Sequence, residues 1–133
     1  MLSLGASARA VKRVKLSKMT VDELVDRFAY LSIAQDKAEL YGEISQYNRL
    51  FKEMTAVDQE LRARGRKARL ALLTLYDHPN MQVRVKAAIK TLGVAPEAAR
   101  KVLEAIRASK WQPQAMDAGM IIRGLDNGEY KPD

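Results

Sequence analysis

The sequence predicts an all-α fold: one domain built as a superhelical stack of about six antiparallel helices. Three observations predict it. Apolar residues recur three and four positions apart along most of the chain, and no stretch sustains the strict alternation of a half-buried strand. Capping residues, prolines and glycines punctuate these runs at helix-length intervals. Residues 70–92, LALLTLYDHPNMQVRVKAAIKTL, read as two helical runs joined by a turn around Asp77, His78, Pro79 and Asn80, the unit of a stacked helical protein.

Bulk properties bound the reading. A chain of 133 residues, 47% hydrophobic, is long enough for one packed core. The absence of cysteine excludes disulfides, thiolate metal sites and a cysteine nucleophile, and fits the reducing cytoplasm, where we expect the protein. No apolar run approaches the roughly 18 residues that span a bilayer. The net charge of +7 is uneven: residues 1–19 hold five basic and no acidic groups, and residues 66–110 hold ten basic and three acidic. An anionic partner is therefore a reading to weigh.

Residues 1–18, MLSLGASARAVKRVKLSK, form a basic extension, readable as a poorly ordered arm, a nucleic-acid arm or a transit-like segment. Met19, directly before a strong helix start, is an alternative initiator. Thr20 and Glu23 make a capping box for a first helix. Its stripe is Val21, Leu24, Val25, Phe28 and Leu31, with a Glu23–Arg27 pair one turn apart. Gly42 supplies its stop. The second helix, residues 43–64, places Ile44, Tyr47, Leu50, Phe51, Met54, Val57 and Leu61 on its stripe, with Asp58–Arg62 and Glu60–Arg64 pairs outside. It folds back on the first as an antiparallel hairpin. The third, residues 66–76, is apolar on most sides and so covered by several neighbours. Asn80 caps the fourth, which buries Val85, Ala88, Ile89 and Leu92 and ends at Gly93; Ala87 and Ala88 admit a closely packed neighbour. Pro96 opens the fifth, with Ala99, Val102, Leu103 and Ile106 inward. Pro113 starts the sixth, which carries Ala118, Ile121, Ile122 and Leu125. The tail, residues 129–133, reads as an exposed polar end.

Helices three and five match at an offset of 31 (Leu72 with Leu103), and helices four and six at 33 (Ala88 with Ile121, Leu92 with Leu125). The second unit therefore has the longer turn, around Trp111, and three hairpins stack. Residues 72–93 follow the pattern LL-x-x-x-D-x-P-N-x-x-V-R-x-x-A-A-x-x-x-L-G and resemble a HEAT-type repeat of the HEAT/armadillo class. Val83, Arg84 and the N-cap Asn80 match that pattern; Asp77 stands one residue farther from Arg84 than its ladder spacing. Residues 20–133 also resemble a family of small bacterial helical proteins without an established function. The segments that carry this are VDEL-V-x-RF, Ala34-Gln35-Asp36, DHPN-x-QVR-x-KAA and WQPQA-x-DAGM. The resemblance implies a fold and brings no activity.

No catalytic set can be assembled. His78 and Asp77 could suggest an acid–base dyad, but a lone histidine in a turn is usually structural. Asp36, Glu39 and Glu43 could share a face, as a cation site needs, yet read better as a solvated face. No glycine-rich phosphate loop is present. We therefore expect a non-enzyme without metal or cofactor. Its expected role is a scaffold that binds a protein partner along a groove, with no membrane contact and with self-association compatible. The competing reading is a nucleic-acid-binding module that uses the 66–110 surface through Arg66, Lys67, Arg84, Lys86, Lys90 and Lys101. Trp111 is expected to plug the gap between hairpins or, if exposed, to contact the partner.

Overall fold

The computed structural model describes residues 15–133, so most of the basic extension lies outside the described residues. The chain folds as α1 (Val21–Leu40), α2 (Ile44–Ala63), α3 (Arg66–Leu70), α4 (Met81–Thr91), α5 (Pro96–Ser109) and α6 (Gln114–Asp126). No strand occurs among the described residues. The capping box forms: Glu23 N–H donates to the Thr20 hydroxyl at 3.1 Å, and Thr20 N–H donates to Glu23 Oε1 at 2.8 Å. With the Glu23 carboxylate held there, Arg27 does not pair with it and reaches across the hairpin to Glu53 at 2.9 Å. Asp58–Arg62 and Glu60–Arg64 pair as expected. Gly42 at φ +68° and Gly65 at φ +100° close the two turns flanking α2, in backbone that costs an L-residue about 1–2 kcal/mol.

Two differences are local. The third helix stays α-helical only to Leu70, then tightens to a 3₁₀ turn over Ala71–Leu75. The Thr74 hydroxyl donates to the Ala71 carbonyl three residues back, a bond that suits the tighter winding. Leu16–Lys18, placed in the basic extension, form a 3₁₀ turn; Leu16 packs on the core and its carbonyl accepts from Arg64.

Two apolar clusters meet at α4. The first joins Leu24, Phe28 and Leu31 of α1 with Leu50, Met54, Val57 and Leu61 of α2, and with Leu72, Leu75, Val83 and Ala87. The second joins Val85, Ala88 and Leu92 of α4 with Ala99, Leu103, Ile106, Ala118 and Ile122. Ala87 and Ala88 are fully buried, so α4 can lie close to neighbours on both sides. α4 packs on α1, on the 3₁₀ turn, on α5 and on α6. A uniform stack would set α2 beside α4; instead the first hairpin joins through α1.

The second-helix stripe needs correction. Ile44 is 73% exposed and Phe51 47% exposed. Leu50, Met54, Val57 and Leu61 already fill one line of α2, and Ile44, Tyr47 and Phe51 fall roughly 60–120° round the helix from it. Ile44 and Phe51 form an apolar ridge outside the core, and the half-buried Tyr47 packs against the core beside them. The tail also departs from expectation: Tyr130 packs on the second cluster, and its N–H donates to the Gly124 carbonyl at 2.9 Å.

Candidate functional site

Three glutamines from three helices meet inside the protein. Gln35 of α1, Gln82 of α4 and Gln114 of α6 are each at most 1% exposed. Gln82 Nε2 donates to Gln35 Oε1 at 2.8 Å, and Gln114 Nε2 donates to Gln82 Oε1 at 2.9 Å. Gln114 Nε2 also donates to Asp36 Oδ1 at 3.1 Å, and Asn80 Nδ2 donates to Asp36 Oδ2 at 3.3 Å. The Asn80 carbonyl oxygen is thereby left facing Val83 N–H, which it caps at 3.1 Å. Asp36 sets the sense of the whole ladder. A carboxylate that receives amide N–H groups on both oxygens acts as acceptor, so Gln114 presents its amide nitrogen, and each glutamine beyond then follows in turn. Reversing the ladder would aim the Gln114 carbonyl oxygen at a carboxylate. The ladder is incomplete at both ends: Gln35 Nε2 and Gln114 Oε1 have no partner.

These residues belong to three of the segments that carried the resemblance: Gln35-Asp36, Asn80 with Gln82, and Gln114. Folding brings them together although 47 residues separate Gln35 from Gln82 and 32 separate Gln82 from Gln114. Asp36, expected on a solvated face, is half-buried and bonded on both oxygens.

Beside the ladder lies an ionisable cluster from the same helices. Lys86 of α4 is half-buried, with its ammonium 5.8 Å from the centre of the Phe51 ring. Burial lowers the Lys86 pKa and Lys90 adds to this, while Asp117 and Glu39 oppose it. Burial raises the Asp117 carboxyl, with Lys86 opposing. Glu39 is raised first by burial, then by Asp117 and Asp36. Tyr47 is raised by burial and by the nearby carboxylates Glu39 and Asp117, against a bond from Gln82. Each of these groups is partly desolvated, and Lys86 is coupled to both Asp117 and Glu39. Glu39 and Tyr47 also line a recess of about 200 Å³ at the α1–α2 turn, with Ala38, Gly42, Glu43 and Ile44. Together the helices present a polar, charged floor edged by the apolar ridge of α2.

The other residues singled out in the sequence fall as follows. His78 Nδ1 accepts from Asn80 N–H at 3.0 Å, a turn-stabilising role. Arg84 donates from Nε to the His78 carbonyl, not to Asp77. Lys86 lies in the cluster above, with Lys90 one turn on. Arg66 and Lys67 are exposed on α3, which packs on α2; Lys101 is exposed on α5, which packs on α4 and α6. Trp111 is 63% exposed and plugs nothing. The residue its segment sends inward is Gln114, three positions later. Gln35, Gln82 and Gln114 did not stand out in the sequence; Tyr47, placed on the core stripe, packs against the first cluster and also reaches this site. The available signal was Gln35 itself, four residues after Leu31 and seven after Phe28, a polar residue on an apolar stripe.

The model of a family described as a domain of unknown function (DUF2019) matches residues 22–126. Among solved structures, the chain is similar to the crystal structure of the protein RPA1889 from Rhodopseudomonas palustris CGA009. The two are 50% identical with a TM-score of 0.87, over 91% of this chain and 100% of that one. No curated protein matches.

Proposed function

This chain belongs to the DUF2019 family, and we propose that it is a non-catalytic helical scaffold that binds a protein partner on the face shared by α1, α2, α4 and α6. The observation that carries this reading is the exposed pair Ile44 and Phe51, flanking the half-buried Tyr47, beside the Lys86–Asp117–Glu39 cluster, over a floor fixed by the glutamine ladder. Exposed aromatic and aliphatic side chains are the composition of an interface centre, and a charged cluster at their edge suits its polar rim. Groups already drawn out of water lose less hydration when a partner covers them, and a bonded floor has little left to order. Trp111, exposed at the α5–α6 turn, is a second anchor. No described helix is long and apolar enough to cross a membrane, and the reading places the encounter in the cytoplasm.

The test is a photo-crosslinking amino acid at Phe51, with Lys101 as the control position, in cells that express the full chain. One protein species crosslinked from position 51 and lost with Lys86→Glu supports the reading; a second copy of this chain is an allowed identity. Crosslinks to nucleic acid from position 101, and none from 51, would overturn it in favour of the basic surface of Arg66, Lys67, Arg84, Lys86, Lys90 and Lys101.

A further inference from the structure

The end of the chain occupies a recess on the flank of the molecule that its polar sequence did not announce. Arg69 of α3 is only 8% exposed. Its Nη1 donates to the Asp133 backbone carbonyl at 3.1 Å and its Nη2 to the Lys90 carbonyl, the last turn of α4, also at 3.1 Å. Arg62 of α2 holds Asp133 Oδ1 at 3.0 Å while pairing with Asp58 at 2.9 Å. The recess exists because position 93 has no side chain: a Cβ on Gly93 would lie 2.5 Å from the Asp133 carbonyl carbon. Polar capacity there is unfilled. Arg69 Nε and Asp58 Oδ1 are buried and unpartnered. Two guanidiniums face one carboxylate from the helices, Asp58, and Arg62 reaches a second at Asp133, whose side chain stays largely in solvent.

We propose that Arg62, Arg69 and Gly93 form an acceptor site for an acidic, proline-bearing peptide segment. Residues 129–133 fill it in cis, and the matching segment of a protein partner competes for it. The occupant supplies a carboxylate to Arg62 and a backbone carbonyl to Arg69, and its main chain crosses Gly93 where no Cβ stands. The Pro132–Asp133 end of the tail meets each requirement. The site is separate from the α2 ridge, and its fate does not depend on that reading. The tail runs from α6 to α2 and α3, so the same contact ties the two apolar clusters together. A competitor in trans meets a site closed for most of the time, and its apparent affinity falls by the fraction that is open.

The test uses the full chain and a fluorescein-labelled peptide of residues 127–133 capped at both ends, read by anisotropy. Asp133→Ala in the protein weakens the cis occupant and should tighten peptide binding by about two- to fivefold over the wild-type chain, the range of one exposed ion pair. Adding Gly93→Ala to Asp133→Ala should abolish binding by steric exclusion, and adding Arg62→Gln should weaken it about two- to fivefold by loss of the ion-pair partner. Gly93 needs no left-handed backbone, so alanine there leaves the helix end intact. A peptide with alanine in place of its aspartate should bind Asp133→Ala about two- to fivefold more weakly than the parent peptide, the loss of that same ion pair. Equal affinity across all these proteins, or no binding to Asp133→Ala, would overturn the proposal.

Discussion

Gln82→Leu tests the ladder most sharply. The leucine is close in size and fills the space, so what changes is hydrogen bonding. Gln35 loses its sole partner, and its amide, already unpaired at nitrogen, becomes unpaired at oxygen as well. Gln114 keeps Asp36 and loses Gln82. A buried polar group left without a partner costs about 1–3 kcal/mol. One full loss and one partial loss give about 2–4 kcal/mol, and the apolar side chain offsets roughly 1 kcal/mol of it. The net loss of about 1–3 kcal/mol is a sizeable share of the 5–15 kcal/mol typical of a domain, and corresponds to a melting temperature lower by roughly 3–15 °C. Urea unfolding followed by circular dichroism measures it. Gln35→Leu with Gln82→Leu removes both partners of one bond and should cost less than the two single changes added, with a coupling above about 1 kcal/mol. A Gln82→Leu protein within about 0.5 kcal/mol of wild type, with an additive double variant, would refute the assignment of the ladder as a bonded unit.

Other outcomes follow from the same structure. Thr20→Ala removes the cap acceptor of α1 and should cost about 1 kcal/mol, seen as a lower urea midpoint with unchanged slope. Phe28→Ala opens a cavity in the first cluster and should cost about 3–5 kcal/mol by the same measurement. For Asp117, burial raises the folded-state pKa, so the folded chain takes up its proton first as pH falls. Stability contributed by that protonation grows as pH drops through the folded pKa and saturates below the unfolded value near 3.8. Asp117→Asn lacks this gain, so its melting temperature relative to wild type should decline steadily from pH 7 to pH 4; a constant difference would contradict the burial of this carboxyl. Glu39, also raised, is part of the same titration in wild type.

The helices were legible because their signals are local. Thr20 with Glu23, Gly42, Gly65 and Asn80 act within one turn, and a stripe such as Leu24–Phe28–Leu31 specifies its own inward face. What is set by which helix lies on which was not legible. Ile44, Tyr47 and Phe51 keep helical spacing with each other as well as with Leu50, so spacing alone cannot separate a second ridge from the core stripe. Gln82 and Gln114 look like surface residues until α4 lies between α1 and α6. Arg27 has carboxylates one turn away and across the hairpin, and the capping box decides between them. The tail is polar in sequence and docked in structure because Arg69 and Gly93, distant in the chain, meet where it passes.

The proposed work of the protein is contact through the face of α1, α2, α4 and α6. Once the crosslinked partner is in hand, its affinity for three versions of the chain decides the matter: wild type, Phe51→Ser with Lys86→Glu, and Arg66→Ser with Lys67→Ser and Lys101→Ser. The ridge variant should lose at least about tenfold, as the loss of an interface anchor does, and the basic-surface variant should bind as wild type. Undiminished binding by the ridge variant, with loss in the basic-surface variant, would contradict the proposed contact.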